Sequence, residues 1–153
     1  MEEGSRKLET QILTRMSKIE SRIGVIKHRD EKIFLFLSDF KHFRDLIPAD
    51  RINNFKSSGE KCSFHVEGIG HIGLRITEKE PNKLIKIGSD GKNPIDFQLW
   101  IQIREAGQDD SRMKITIEPN VNPMMMAMVK KPLKSFVDSL IDQAEKISYD
   151  PPA

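Results

Sequence analysis

The side chains best equipped for chemistry in this 153-residue chain are four histidines, one cysteine and a run of methionines near the C-terminus. Their spacing does not build a reacting set. His65 and His71 fall on the charged side of a hairpin, where His71 is expected to face Glu67 as an ordinary cross-strand pair. His28 and His42 sit near helix starts or faces, and no ligand spacing recurs among the four, so no metal is assigned. Cys62 alternates into an apolar set and reads as a small core residue rather than a nucleophile. Met124, Met125, Met126 and Met128 are flexible and polarisable. They read either as ordinary core packing or as the pliable wall of an apolar pocket. No catalytic residue and no cofactor is assigned.

The element that must position them is the last helix, Asn122 to about Ile147. Asn122 is a good N-cap, and Pro123 at the first helical position loses no hydrogen bond. Apolar side chains recur at Met125, Met128, Val129, Leu133, Phe136, Leu140, Ala144 and Ile147, steps of three and four that make one stripe. Such a helix is roughly 37 Å long and crosses a small domain. Pro132 removes a backbone bond to Met128, so a kink is expected there, either to follow a curved sheet or as a hinge. Lys130, Lys131 and Lys134 precede Asp138, Asp142 and Glu145, an order that opposes the helix macrodipole. Those lysines make a solvated face, or they guide an acidic ligand head or an anionic membrane to a gate.

Composition narrows the class. A net charge of +2 with 31 % charged residues leaves no field of one sign, which argues against a nucleic-acid partner. The longest apolar run, Ile33 to Leu37, is far short of a membrane span, so stable insertion is excluded. A single cysteine rules out an intrachain disulfide and fits a reducing compartment. With no apolar signal segment at the start, the chain reads as cytoplasmic.

Residues 1–18 read as an extension, disordered or a short helix, 19–148 as one domain and 149–153 as a disordered tail. Ile19 to Lys27 alternates as a strand, with Ile19, Ser21, Ile23 and Val25 expected on one face. Asp30 is expected to cap the first of two short helices, and Pro48 ends the second. Six further strands follow. Their inward faces carry Phe64, Val66, Ile72, Leu74, Ile76, Ile85, Ile87, Phe97, Leu99, Ile101, Ile103, Met113, Ile115 and Ile117. A loop at Gly68-Ile69-Gly70 would pair Glu67 with His71 and Phe64 with Leu74. An antiparallel sheet with one dry face needs cover, and the helices supply it. Trp100 is the large apolar residue on the wet face, with Leu84 as its expected neighbour. It marks a surface for the N-terminal extension, a second subunit or a protein partner.

This order resembles the START-like or SRPBCC superfamily, the helix-grip fold of pollen allergens, polyketide cyclases and lipid-carrying START domains. The matching pieces are SRIGVIKHRDEKIFLFLSDFKHFRDLIP, FHVEGIGHIGLRITEKEPNKLIKI and the closing helix. The resemblance implies an α+β fold, a seven-stranded curved antiparallel sheet wrapped around the C-terminal helix. It also implies an apolar cavity between them, gated by Gly88 to Pro94 and Met124 to Met128. The expected cavity set is Phe64, Val66, Leu74, Ile76, Ile87, Phe97, Leu99, Ile101, Ile115, Met125, Met128, Val129, Pro132 and Phe136, with Asn93, Pro94 and Met124 at the gate. The inward strand residues include no titratable group to move protons, so noncatalytic binding of a small hydrophobic, lipid-like ligand is the leading expectation. The alternatives are a cyclase or dehydratase using Asn53, Asn54, Asn93 or Asn122, and an interaction module with a filled core.

Overall fold

The computed structural model describes residues 17–67 and 70–149. Readings that fall on residues 1–16, on the loop tip at 68–69 and on 150–153 lie outside the described residues. In chain order the elements are β1 (Ile19–Glu20), β2 (Gly24–Ile26), α1 (Asp30–Leu37), α2 (Phe40–Phe43), β3 (Ile52–Ser58), β4 (Lys61–Val66), β5 (Gly70–Glu80), β6 (Leu84–Ser89), β7 (Phe97–Gly107), β8 (Asp110–Pro119) and α3 (Pro123–Lys146). The ladder runs β1-β8-β7-β6-β5-β4-β3, with β2 also on β8, and every pairing is antiparallel. This is the helix-grip arrangement: a one-sided sheet, two short helices near its start and a long helix across its dry face.

Period-two alternation decides which side is dry. Ile85, Ile87, Ile101 and Ile115 are fully buried, and Met113, Leu99, Ile117 and Ile103 nearly so. The short helices complete the layer. Ser38 ends α1, its N–H and hydroxyl both donating to the Phe34 carbonyl, and the Asp39 carboxylate then caps α2 by accepting from the Lys41 N–H. This corner delivers Ile33, Leu37, Phe40, Phe43, Leu46 and Ile47 to the core. The first cap differs from expectation. Arg29 holds the N-cap position and Asp30 lies in the first turn, where its carboxylate accepts from Glu31 N–H and complements the helix dipole.

The β4–β5 register is two residues from the expected one. His71 faces His65, Phe64 faces Ile72 and Cys62 faces Leu74, because Val66 already pairs with Gly70 at φ +119°. An even slip keeps every side chain on its face, so the inward set survives while the His71–Glu67 and Phe64–Leu74 pairs do not.

The first strand departs further. Ile19 pairs with Ile117, but Gly24 pairs with Met113, so one extra residue is inserted between the two segments. Beyond this bulge the faces exchange. Gly24 and Ile26 point inward, while Ile23 and Val25 are exposed. Backbone donors along this sheet edge that do not pair with β8 are taken by the acids of α3. Arg22 N–H donates to Asp138 Oδ1 at 2.8 Å and Val25 N–H to Glu145 Oε2 at 2.9 Å. The Arg22 guanidinium grips Glu145 at 2.6 Å and also Asp142. These contacts account for the acids sitting late in α3 against the macrodipole. The Glu145 carboxyl is held below the ordinary glutamate range, first by Arg22 and then by the Val25 N–H.

Tyr149, read from the sequence as the first residue of a tail, is part of the packed domain. It is buried against Phe36 and His28, and its hydroxyl donates to the Ala144 carbonyl at 2.7 Å, so the domain extends through it.

Candidate functional site

Helix α3 begins as expected, with the Asn122 side chain accepting from Met125 N–H at 2.8 Å and Pro123 in the first turn, and it continues through Pro132. Its packing is uneven. Val137, Leu140, Ile141 and Ala144 in the back half are buried, whereas Met126, Val129, Leu133 and Phe136 in the front half are only partly covered. The back half lies against β1, β2 and β8, where Gly24 permits the approach: a Cβ there would stand 2.8 Å from Ile141 Cγ2. The front half spans strands it does not touch closely.

The space so left is a cavity of about 590 Å³. Strands β4, β5, β7 and β8 supply Phe64, Val66, Ile72, Leu74, Phe97, Leu99, Ile117 and Pro119. The α2 corner supplies Phe43 and Ile47, and α3 supplies Val129, Pro132, Leu133, Ser135, Phe136 and Leu140. Pro94 and Ile95 close one side. The wall is apolar apart from Arg51, Glu67 and Ser135. A site of this size and polarity belongs to the range that encloses a small organic molecule.

Of the residues expected at the cavity and gate, Phe64, Val66, Leu74, Phe97, Leu99, Val129, Pro132, Phe136 and Pro94 meet on this wall. Ile76, Ile87, Ile101 and Ile115 do not; they are buried in the core away from this wall. Met124, Met125 and Met128 are exposed, at 78, 42 and 75 %, and stand outside. The reason is helix phase: the inward stripe runs through Met126, Val129, Leu133 and Phe136, and Met124 and Met128 lie opposite it.

Asn93 is a pin rather than a wall. Its Oδ1 accepts from Gly73 N–H at 2.9 Å and its Nδ2 donates to the Asp90 carbonyl at 3.0 Å, while Asp90 N–H donates to the Gly73 carbonyl. A Cβ on Gly73 would sit 2.3 Å from the Asp90 carbonyl oxygen, so only glycine lets this loop lie on β5. Asn53 and Asn54 are exposed and Asn122 is the helix cap, so these three do not line the cavity.

The charged wall residues were not foreseen. Arg51 comes from the turn before β3 and Glu67 from the end of β4, where Glu67 N–H donates to the Arg51 carbonyl. Arg51 lies at the start of the expected strand, and the alternation puts Glu67 on the charged outer side beside His71. Glu67 instead lies just past the end of β4, where the pleat no longer sets its side, and reaches the wall. Leu133 and Ile117, by contrast, were visible in the helical stripe and the strand alternation.

Elsewhere, Cys62 is buried in the core, and burial alone pushes its thiol up to about 12, which leaves it protonated and unreactive. Trp100 is half-buried on the outer face. The residue opposite it is Lys86 rather than Leu84, which faces Gln102. The ammonium groups of Lys18 and Lys86 lie 5.1 and 5.6 Å from the Trp100 ring centroid, two cation–π contacts. Lys18 thus brings the end of the N-terminal extension onto this ring.

No protein-family model and no curated protein matches the chain. Solved structures do. Norcoclaurine synthase from Thalictrum flavum, a point mutant with a transition-state analogue, superposes with a TM-score of 0.66 at 16 % identity, over 84 % of this chain and 91 % of that one. A START superfamily protein from Mycobacterium smegmatis gives 0.63 at 14 % identity, over 86 and 99 %. The Aha1 dimer from Colwellia psychrerythraea gives 0.58 at 21 % identity, over 84 and 96 %. At such identities the likeness concerns fold alone, and the fold is START-like. Among the described residues no helix is long and apolar enough to cross a membrane.

Proposed function

We propose that this chain binds a small, largely apolar molecule, without converting it, in the cavity beneath the front half of α3. The observation that supports this most is the contrast within one core. Side chains fill the sheet–helix space at the back, whereas at the front about 590 Å³ is left open behind an almost wholly apolar wall. Emptiness of that size lined by Phe, Leu, Ile and Val forgoes dispersion contacts that a guest would restore. The START-like fold of proteins that enclose small molecules is consistent with this reading. The single, buried thiol of Cys62 suits a cytoplasmic setting.

The reading predicts saturable, one-to-one uptake of an uncharged apolar fluorophore by the purified chain. Val129→Arg or Phe97→Asp should abolish uptake while circular dichroism retains the native spectrum. Met128→Arg should leave it intact, because Met128 faces solvent. Absence of saturable uptake in the unaltered chain contradicts the reading.

A second reading, a cyclase or dehydratase, draws on Arg51 and Glu67, the two charged residues on the wall. It requires conversion of a bound polyketide-like compound that Glu67→Gln abolishes without reducing uptake; binding with no conversion leaves only the first reading.

A further inference from the structure

We propose that the outer ridge of the front half of α3 docks on an anionic lipid bilayer. That the bilayer also supplies the cavity's guest rests on the function proposed above; the docking itself rests on two separate observations.

The first is apolar exposure. Met124, Met128 and Lys131 stand at i, i+4 and i+7, one ridge of the helix, on the side opposite Val129 and Leu133. Met124 and Met128 are 78 and 75 % exposed, and Met125 at 42 % flanks them toward the cavity. Few surfaces leave three unbranched apolar side chains standing together on one helical turn and a half.

The second is charge. From Pro123 to Val137 the helix carries Lys130, Lys131 and Lys134 and no carboxylate. Lys134 is occupied by the Glu20 carbonyl at 2.8 Å and by Asp138. Lys130 and Lys131 form no ion pair with any described residue. Lys92 stands exposed on the loop whose Pro94 and Ile95 line the cavity. Apolar side chains that reach the acyl boundary, flanked by lysines that meet anionic headgroups, define an interfacial helix face. Association would be peripheral and reversible, in keeping with the short apolar patch.

Flotation of the full chain with vesicles tests this. The chain should float with phosphatidylcholine vesicles in which a third of the lipid is phosphatidylserine, and much less with phosphatidylcholine alone. Lys131→Gln, on the ridge, should weaken association about fivefold, the effect of about 1 kcal/mol per lysine near the surface, and Lys130→Gln, roughly 160° round the helix from Met128, should weaken it less. The Met124→Ser, Met128→Ser double variant should weaken it about tenfold or more, and added salt should weaken it further. No flotation with the anionic vesicles, or flotation unchanged in these variants, overturns the docking proposal. So does a chain dimer that dissociates in the methionine double variant, which would give the ridge to a second copy. Fluorophore uptake is measured in parallel: flotation without uptake removes the cavity function and supports docking, and uptake without flotation does the reverse.

Discussion

The two halves of α3 are one helix under two regimes. Its back half is packed against β1, β2 and β8. Val137, Leu140, Ile141 and Ala144 are buried, Gly24 admits Ile141, and Asp138, Asp142 and Glu145 hold the bulge between β1 and β2. Its front half is a roof. Val129, Leu133 and Phe136 look into open space, and Met124 and Met128 look outward. The buried side chains and the acids that hold β1 and β2 lie in the back half; the methionines, Pro132, Lys130 and Lys131 lie in the front. On the function proposed above, such a division would let the roof adapt to a guest while the packed half keeps the fold intact.

The largest expected effect tests the packed half. Ile141→Ala should cost about 3 kcal/mol in urea unfolding, since it removes a side chain from a packed site. Leu133→Ala in the roof should cost about 1 kcal/mol, because its side chain already borders a void, yet it should alter fluorophore affinity. Equal costs at the two positions would erase the distinction between the halves.

Next in size is Gly73→Ala. The added methyl would meet the Asp90 carbonyl at 2.3 Å, so the loop carrying Pro94 and Ile95 must lift. A loss of about 2 kcal/mol with faster guest exchange is expected; unchanged exchange would show that this loop does not control the mouth.

The acid clamp should be worth less. Glu145→Gln is expected to cost about 1 kcal/mol at neutral pH, a charge-assisted contact discounted for its exposure. Its pH dependence has a definite sign. The folded carboxyl binds its proton less readily than the unfolded one, so its stabilisation is full above the ordinary glutamate value and disappears as pH falls toward the depressed folded value. Arg22 stays protonated throughout that range. Glu145→Gln should therefore flatten the acid limb of the stability curve, and an unaltered acid limb would remove Glu145 from the clamp. Smallest of all, Met124→Ser should change unfolding free energy by less than about 0.5 kcal/mol, as its side chain touches little; a larger loss would mean the ridge is covered.

Much of this was legible in the chain. Strict alternation through β4 to β8 marks the dry face because a strand's period is two, and the Asn122–Pro123 pair announces the helix start. The bulge at Ser21 to Ile23 was not legible. Ile19, Ser21, Ile23 and Val25 alternate without fault, and what interrupts them is distant: Asp138 and Glu145 binding the Arg22 and Val25 N–H groups, and Ile141 pressing on Gly24. The phase of the roof was hidden for a related reason. Apolar residues at Met124, Met125, Met126 and Met128 satisfy more than one helical stripe, and only packing against the sheet selects Met126. Arg51 and Glu67 lie in a turn and just past the end of a strand, where the pleat no longer sets a side, and Tyr149 is held by Phe36 and His28 across more than a hundred residues of sequence.

The central claim is that an apolar guest enters between the front half of α3 and the sheet, and methyl-resolved NMR tests it most directly. On titration with an uncharged apolar fluorophore, the methyls of Leu99, Ile117, Val129 and Leu133 should shift saturably and show NOEs to the guest, while those of Ile85, Ile101 and Ile115 should show no NOE. Guest contacts confined to Met124 and Met128, or no saturable change at any of these methyls, would contradict it.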